Sequence, residues 1–216
     1  MHLPFRATDM KDSSAAARPY RCPDLPSAPV DAVRAELADA LEHGNAVLSA
    51  PPGAGKSSRV PLWLLEAPWL EGRKILLLEP RRVAARALAR YAARLLGEDI
   101  CRRIRVIDHD CRDTAHLVHV GDTSRGTPVW FNSYAMACDK IIITCGVVYH
   151  FLAGFGGGGK MLLPGIAGYE TIQRHHKQAL NPGFGNGTNA DVRSANMADS
   201  NIFHADIFEA ASMARP

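Results

Sequence analysis

What the chain lacks narrows its class. No apolar run approaches the ~18 residues that a membrane-spanning helix needs, so no membrane partner is expected. The first 25 residues have no apolar core of the secretory type, and residues 1–28 read as a disordered tail. The five cysteines, Cys22, Cys101, Cys111, Cys138 and Cys145, contain no CxxC pair. An odd count without metal-ligand spacing points to reduced thiols and a cytoplasmic protein. The net charge of +3 is too small to imply nucleic acid by itself. What is present is ordinary for a globular chain: 216 residues, 47% apolar and 22% charged, enough for one or two domains.

Composition changes along the chain. Residues 1–98 hold 14 Lys+Arg against 11 Asp+Glu, and residues 99–216 hold 11 against 11. Two of the nine histidines lie in the first part and seven in the second; glycine divides five to thirteen. The two parts therefore call for separate readings.

In the first part, Val30, Val33, Leu37 and Leu41 recur at helical spacing, and Gly44 fits a helix stop. Residues 45–50 (NAVLSA) read as a short buried strand. APPGAGKS follows, over residues 50–57. Its glycines, Gly53 and Gly55, free backbone N–H groups to wrap phosphate oxygens at a helix N-terminus. Lys56 would reach the β- and γ-phosphates of ATP, and Ser57 would hold Mg²⁺. Residues 74–80 (KILLLEP) predict a second strand. The helix after it sets Arg82, Arg86, Arg90 and Arg94 at steps of four on one face, either a solvated face or a phosphate-backbone contact.

In the second part, residues 104–107 and 117–120 read as strands. Residues 121–127 (GDTSRGT) form a polar loop, and Thr127-Pro128 is expected to open a helix over VWFNSYAMAC. KIIITC, residues 140–145, is another buried strand. Beyond it the chain passes His150, a four-glycine loop ending on Lys160, Pro164-Gly165, and the pair His175-His176. Glycines there let backbone approach a bulky ligand at an entropic cost. Adjacent residues on a helix point about 100° apart, so His175 and His176 do not easily serve one metal together; both read most simply as solvated.

Two resemblances enter at this point. Residues 29–98 look like the start of an HrpB-type DExH ATP-dependent helicase. Lys56 and Ser57 match that family's ATP and Mg²⁺ residues, and Pro80-Arg81-Arg82 its nucleic-acid-contacting motif. No Asp-Glu-x-His box follows residue 98, so the resemblance implies nucleotide binding without coupled hydrolysis.

HVGDTSRGTPVWFN, IIITCGVVYHFLAGFGGGGKMLLPGIAGYETIQRHH and NIFHADIFEAASMA, within residues 103–216, resemble the N-terminal domain of the nickel-pincer lactate racemase family. That resemblance implies a nickel-pincer nucleotide. Lys160 would carry it covalently, with Gly157 and Gly158 in the loop beside it. His176 would ligate nickel, and His150 would be an acid/base histidine acting on a small 2-hydroxy acid such as lactate. The family loop usually has Ser and Arg where Gly156 and Gly159 stand. His109 matches a different family position from the second catalytic histidine, whose place upstream is taken by helicase-like sequence.

The expected fold is α/β, with short parallel-sheet layers and flanking helices in two incomplete units, 29–100 and 101–216, joined near residue 100. The expected function is that of a lactate racemase-family N-terminal fragment, incomplete for catalysis. The alternatives are an ATP-binding helicase fragment, with nucleic acid as a partner only if that part is functional, and a non-functional fusion. Three geometric expectations follow. His150, Lys160 and His176 should meet at one cavity. Lys56 and Ser57 should start a helix after a strand. Residues 98–103 should be a poorly packed junction.

Overall fold

The computed structural model describes residues 25–70, 73–80, 82–96, 105–180 and 201–214. The expected tail lies outside them as far as residue 24, as does the whole junction at residues 98–103.

In the first part, a 3₁₀ turn over Pro29–Val33 runs into helix α1, Arg34–His43. Helix α2 spans Lys56–Leu64 and α3 Arg82–Leu96, with strand β1, Ile75–Leu78, between them. The apolar positions at helical spacing behave as expected. Val30 is buried with Val60, Trp63, Leu64 and Leu70, and Val33, Leu37 and Leu41 pack against that cluster. NAVLSA is not a strand. Residues 45–50 have no strand assignment, and Val47 is 98% exposed. The segment is apolar enough for a strand but pairs with no strand among the described residues that would complete its backbone hydrogen bonds.

In the second part, β2 (Leu117–Asp122) and β3 (Pro128–Asn132) form an antiparallel hairpin with an irregularity between His119 and Gly121. The helix expected to open at Thr127-Pro128 is therefore a strand. Val129, Trp130 and Phe131 are β-branched or aromatic, and their alternating burial fits a pleated surface. Proline is tolerated as the first residue of a strand. The helix starts later, as α4 (Ser133–Met136), where the Asn132 side chain accepts from the N–H groups of Tyr134 and Ala135. Residues 105–107 are not a strand either.

Strand β4, Lys140–Ile143, pairs in parallel with β1, register Ile75 to Lys140 through Leu78 to Ile143. This pair joins the two parts: Ile142 packs with the first cluster, while Leu76 and Leu78 pack with the second. The Thr144 hydroxyl extends the join, 3.1 Å from the Leu78 carbonyl. A short hairpin follows, β5 (Tyr149–His150) with β6 (Gly154–Phe155). Helices α5 (Tyr169–Lys177) and α6 (Ile202–Met213) complete the order. The fold is α/β, with one parallel pair and two antiparallel hairpins among the described residues. The larger core holds Val129, Phe131, Leu163, Phe203 and Ile207, all nearly or wholly buried. No helix among the described residues is long and apolar enough to cross a membrane.

Candidate functional site

The four-glycine loop sits between β6 and a 3₁₀ turn, Gly158–Met161, that carries Lys160. Gly157 has φ 81° and ψ −169°, a region that only glycine occupies readily. A Cβ there would stand 2.9 Å from both Cys145 Sγ and the Gly146 carbonyl oxygen. Gly158 N–H also points at Cys145 Sγ, at 3.3 Å. The loop is thus pressed onto the end of the chain leaving β4. A Cβ on Gly159 would stand 3.1 Å from Ile207 Cγ2. Helix α6 lies close against the loop at the position where the resembled family has a longer side chain.

Behind the loop is a hollow of about 160 Å³, lined by glycines 156–159, Lys160, His204 and Phe208 among others. Its walls are mostly apolar carbon. Burial pushes the Lys160 ammonium below its ordinary pKa, which raises the share of neutral amine.

His150 ends β5. Its Nδ1 accepts from the N–H groups of Ala153, at 3.1 Å, and Leu152, at 3.3 Å. Its pKa is lowered by burial first, and then by the charges of Lys160 and His176. Of the three residues singled out in the sequence, His150 is thus within electrostatic reach of Lys160 and of His176. Lys160 lines the hollow; His150 and His176 are not among its lining residues.

Helix α5 explains how His176 is aimed. Thr171 and His175, four residues apart, form its buried face. Thr171 Oγ1 accepts from Trp130 N–H at 2.9 Å and donates to the Pro128 carbonyl at 2.7 Å. His176, about 100° around the helix, is exposed. Its Nδ1–H donates to the Ile172 carbonyl at 2.8 Å, which leaves the Nε2 lone pair free for a ligand.

His175 is not solvated, as its sequence suggested. It is 0% exposed, and its Nδ1 lies 2.8 Å from Asp206 Oδ2. Asp206, also 0% exposed, accepts from Thr123 Oγ1 at 2.6 Å and Thr127 Oγ1 at 2.9 Å. Thr127 thus ties the β2–β3 loop to α6 instead of capping a helix. Sequence reasoning missed Asp206 because its partners lie 31 to 83 residues away. It also missed His204 on α6.

At the upstream loop, Gly53 and Gly55 have φ of 80° and 97°, and Lys56 opens α2. The helix N-terminus expected there is present; the preceding strand is not. The Lys56 ammonium folds back onto the loop, 2.5 Å from the Ala50 carbonyl and 2.9 Å from that of Pro51. On α3, Arg86, Arg90 and Arg94 are exposed, and Arg86 is paired with Asp108.

Comparison with known proteins agrees with both parts of the sequence reading. The lactate racemase N-terminal domain family matches residues 89–187. Lactate racemase of Lactiplantibacillus plantarum is 34% identical over 120 residues, 55% of this chain and 26% of that protein. The ATP-dependent RNA helicase HrpB of Escherichia coli is 55% identical over 75 residues, 34% of this chain and 9% of that protein. The lactate racemase apoprotein structure from Thermoanaerobacterium thermosaccharolyticum aligns at TM-score 0.48 and 22% identity, over 67% of this chain and 41% of that one. The chain spans about a quarter of the length of the first of these relatives and under a tenth of the second. It is thus similar to the N-terminal domain of lactate racemases over residues 89–187, and carries beside that a separate likeness to ATP-dependent RNA helicases.

Proposed function

We propose that the glycine-loop site is the cofactor-anchoring part of a nickel-pincer nucleotide-dependent 2-hydroxyacid racemase or epimerase. In this reading the chain supplies part of an active site for a small 2-hydroxy acid such as lactate. The observation that carries it is the placement of Lys160, whose side chain lines a hollow together with the glycine loop. The size of the hollow supports the reading for the ring of the cofactor. About 150 Å³ is enough to hold a six-membered ring, and the hollow is of that size. Among the described residues no cluster of three His, Cys, Asp or Glu side chains could hold a metal. Nickel here would therefore take most of its ligands from an organic carrier, with His176 Nε2 as the protein's donor. When bound, the group would supply a hydride acceptor.

In this reading the chain's own residues divide the work as follows. Lys160 fixes the carrier to the loop. His176 is oriented by the buried face of α5. His150, whose ring feels the charges of both, would handle a proton of the bound hydroxy acid. Gly157 and Gly158 keep the approach free of side chains. The test is nickel content after co-expression with the enzymes that assemble the cofactor. Wild-type chain should retain close to one nickel per molecule, and Lys160→Ala and His176→Ala should lose most of it. Equal nickel in all three would reject the reading.

A second reading concerns the upstream loop. Two left-handed glycines directly before α2, with Lys56 at its first position, form the start of a phosphate cradle. We propose ATP binding there, with Ser57 on Mg²⁺ and without coupled hydrolysis. ATP should bind the wild-type chain, and Lys56→Ala should abolish that binding. Unchanged affinity in the variant would remove the reading.

A further inference from the structure

Strands from the two differently related parts end at the same place. β1 and β4 run parallel and in register as far as Leu78 and Ile143. At their start, Asp139 Oδ2 accepts from Lys74 N–H at 2.8 Å, and Asp139 N–H donates back to the Lys74 carbonyl at 3.1 Å. At their carboxyl end, Thr144 N–H donates to the Leu78 carbonyl at 3.1 Å. The Thr144 hydroxyl has one proton to give. Glu79 Oε1, at 2.5 Å, is nearer to it than the Leu78 carbonyl, at 3.1 Å. That separation is the one a hydroxyl adopts toward an ionised carboxylate. Glu79 belongs to the helicase-like part, and Thr144, 65 residues on, to the racemase-like part.

The residues after Thr144 carry this fastening to the glycine loop. Cys145 Sγ accepts from Gly158 N–H at 3.3 Å, and the Val148 carbonyl accepts from Gly156 N–H at 2.6 Å. A Cβ on Gly156 would stand 3.3 Å from Val148 Cγ2, just as one on Gly157 would crowd Cys145 and Gly146. Residues 145–148 and 156–158 therefore lie side by side, and Val147 lines the hollow together with Lys160. Lys160 follows within one turn, its N–H donating to the Gly157 carbonyl at 3.1 Å. Gly146, Val147 and Val148 are themselves exposed. Core packing does little to hold that segment, and its anchor is Thr144.

We propose that Glu79 is a positioning residue for Lys160. Its carboxylate fixes Thr144, Thr144 anchors residues 145–148, and these set the glycine loop and the amine at its end. The upstream part is then no passenger. It supplies both the strand that β4 pairs with and the acceptor that closes the pair. The role of Lys160 toward a cofactor rests on the racemase reading above; its placement by Glu79 does not. A carboxylate acting by charge alone would favour the protonated amine. Positioning acts in the opposite sense, because it keeps the amine in its half-buried place, where burial disfavours the charge. The two roles predict opposite signs when Glu79 is removed.

The test uses the full-length, cofactor-free chain. Acetylation of Lys160 by dilute acetic anhydride is followed by mass spectrometry of digests across a pH series, and the midpoint of the rate reports the pKa of the amine. Glu79→Ala should raise that midpoint toward the ordinary lysine value of 10.5, and Thr144→Val should do the same. Glu79→Gln keeps an oxygen that accepts from the hydroxyl and should stay near wild type. Glu79→Ala combined with Thr144→Val should shift the midpoint no further than either alone, because all three variants lose the same hydrogen bond. An unmoved or lowered midpoint in Glu79→Ala would overturn the proposal. So would Glu79→Gln matching Glu79→Ala, or single shifts that add in the double variant. If Glu79→Ala does not fold, Thr144→Val against wild type decides by the same signs. Nickel and cofactor play no part in the measurement, so this inference and the racemase reading fail separately.

Discussion

His175 and Asp206 form a wholly buried pair, Nδ1 to Oδ2 at 2.8 Å, that joins α5 to α6 and, through Thr123 and Thr127, to the β2–β3 loop. Among the described residues the His175 Nε2 has no partner, and its ring lies 3.8 Å from that of Phe203, centroid to centroid. The pair is the main polar fastening inside an apolar core. Removing the carboxylate leaves an imidazole N–H and two threonine hydroxyls without an acceptor. Asp206→Ala should cost about 3–5 kcal/mol, read as a lower urea midpoint. A loss under ~1 kcal/mol would show that the fastening is dispensable.

The same pair sets a pH dependence. Burial alone would raise the Asp206 carboxyl, but hydrogen bonds from His175, Thr123 and Thr127 outweigh it and hold the group below its ordinary 3.8. Burial lowers His175 below its ordinary 6.5, outweighing the hydrogen bond to Asp206. In both cases the unfolded chain takes up protons before the folded one as pH falls, so stability rises with pH across the window. The contribution is complete above pH 6.5. It declines first as His175 would titrate in the unfolded chain, and again below 3.8 as Asp206 would. Urea midpoints measured from about pH 8 downward should fall in these two stages, and Asp206→Asn should flatten the lower one. A midpoint that stays level or rises on acidification contradicts the pairing.

Gly157 supplies a prediction about the loop itself. Its backbone angles suit glycine alone, and an added Cβ meets Cys145 Sγ and the Gly146 oxygen together. Gly157→Ala should lose about 1–3 kcal/mol and displace Lys160. Adding Cys145→Ala should recover little, because the clash with the Gly146 carbonyl remains. Full recovery in the double variant would show that the thiol alone sets the constraint.

The sequence was most legible where local chemistry decides structure. ILLL and KIII are unbroken aliphatic runs, and they form the parallel pair that both cores share. The apolar spacing of residues 30–41 identified the first helix. The misreadings arose where local signals are ambiguous. Thr127-Pro128 suits a helix start and a strand start alike, and pairing with β2 decided for the strand. NAVLSA has strand composition but no partner strand among the described residues. For the site, the family resemblance of one stretch of chain named His150, Lys160 and His176. Asp206 and His204 come from a helix beyond residue 200, and neither the burial of His175 nor the hydrogen bond between His204 and the Ala153 carbonyl leaves a mark in composition or spacing.

Intact-mass measurement bears most directly on the central claim, that Lys160 anchors an organic nickel cofactor. The chain would be purified after co-expression with the cofactor's assembly enzymes, alongside Lys160→Ala. The account predicts one added mass on the wild-type chain, mapped by digestion to the peptide containing Lys160 and missing from the variant. Unmodified mass in the wild-type chain, or an identical adduct on both, would contradict it.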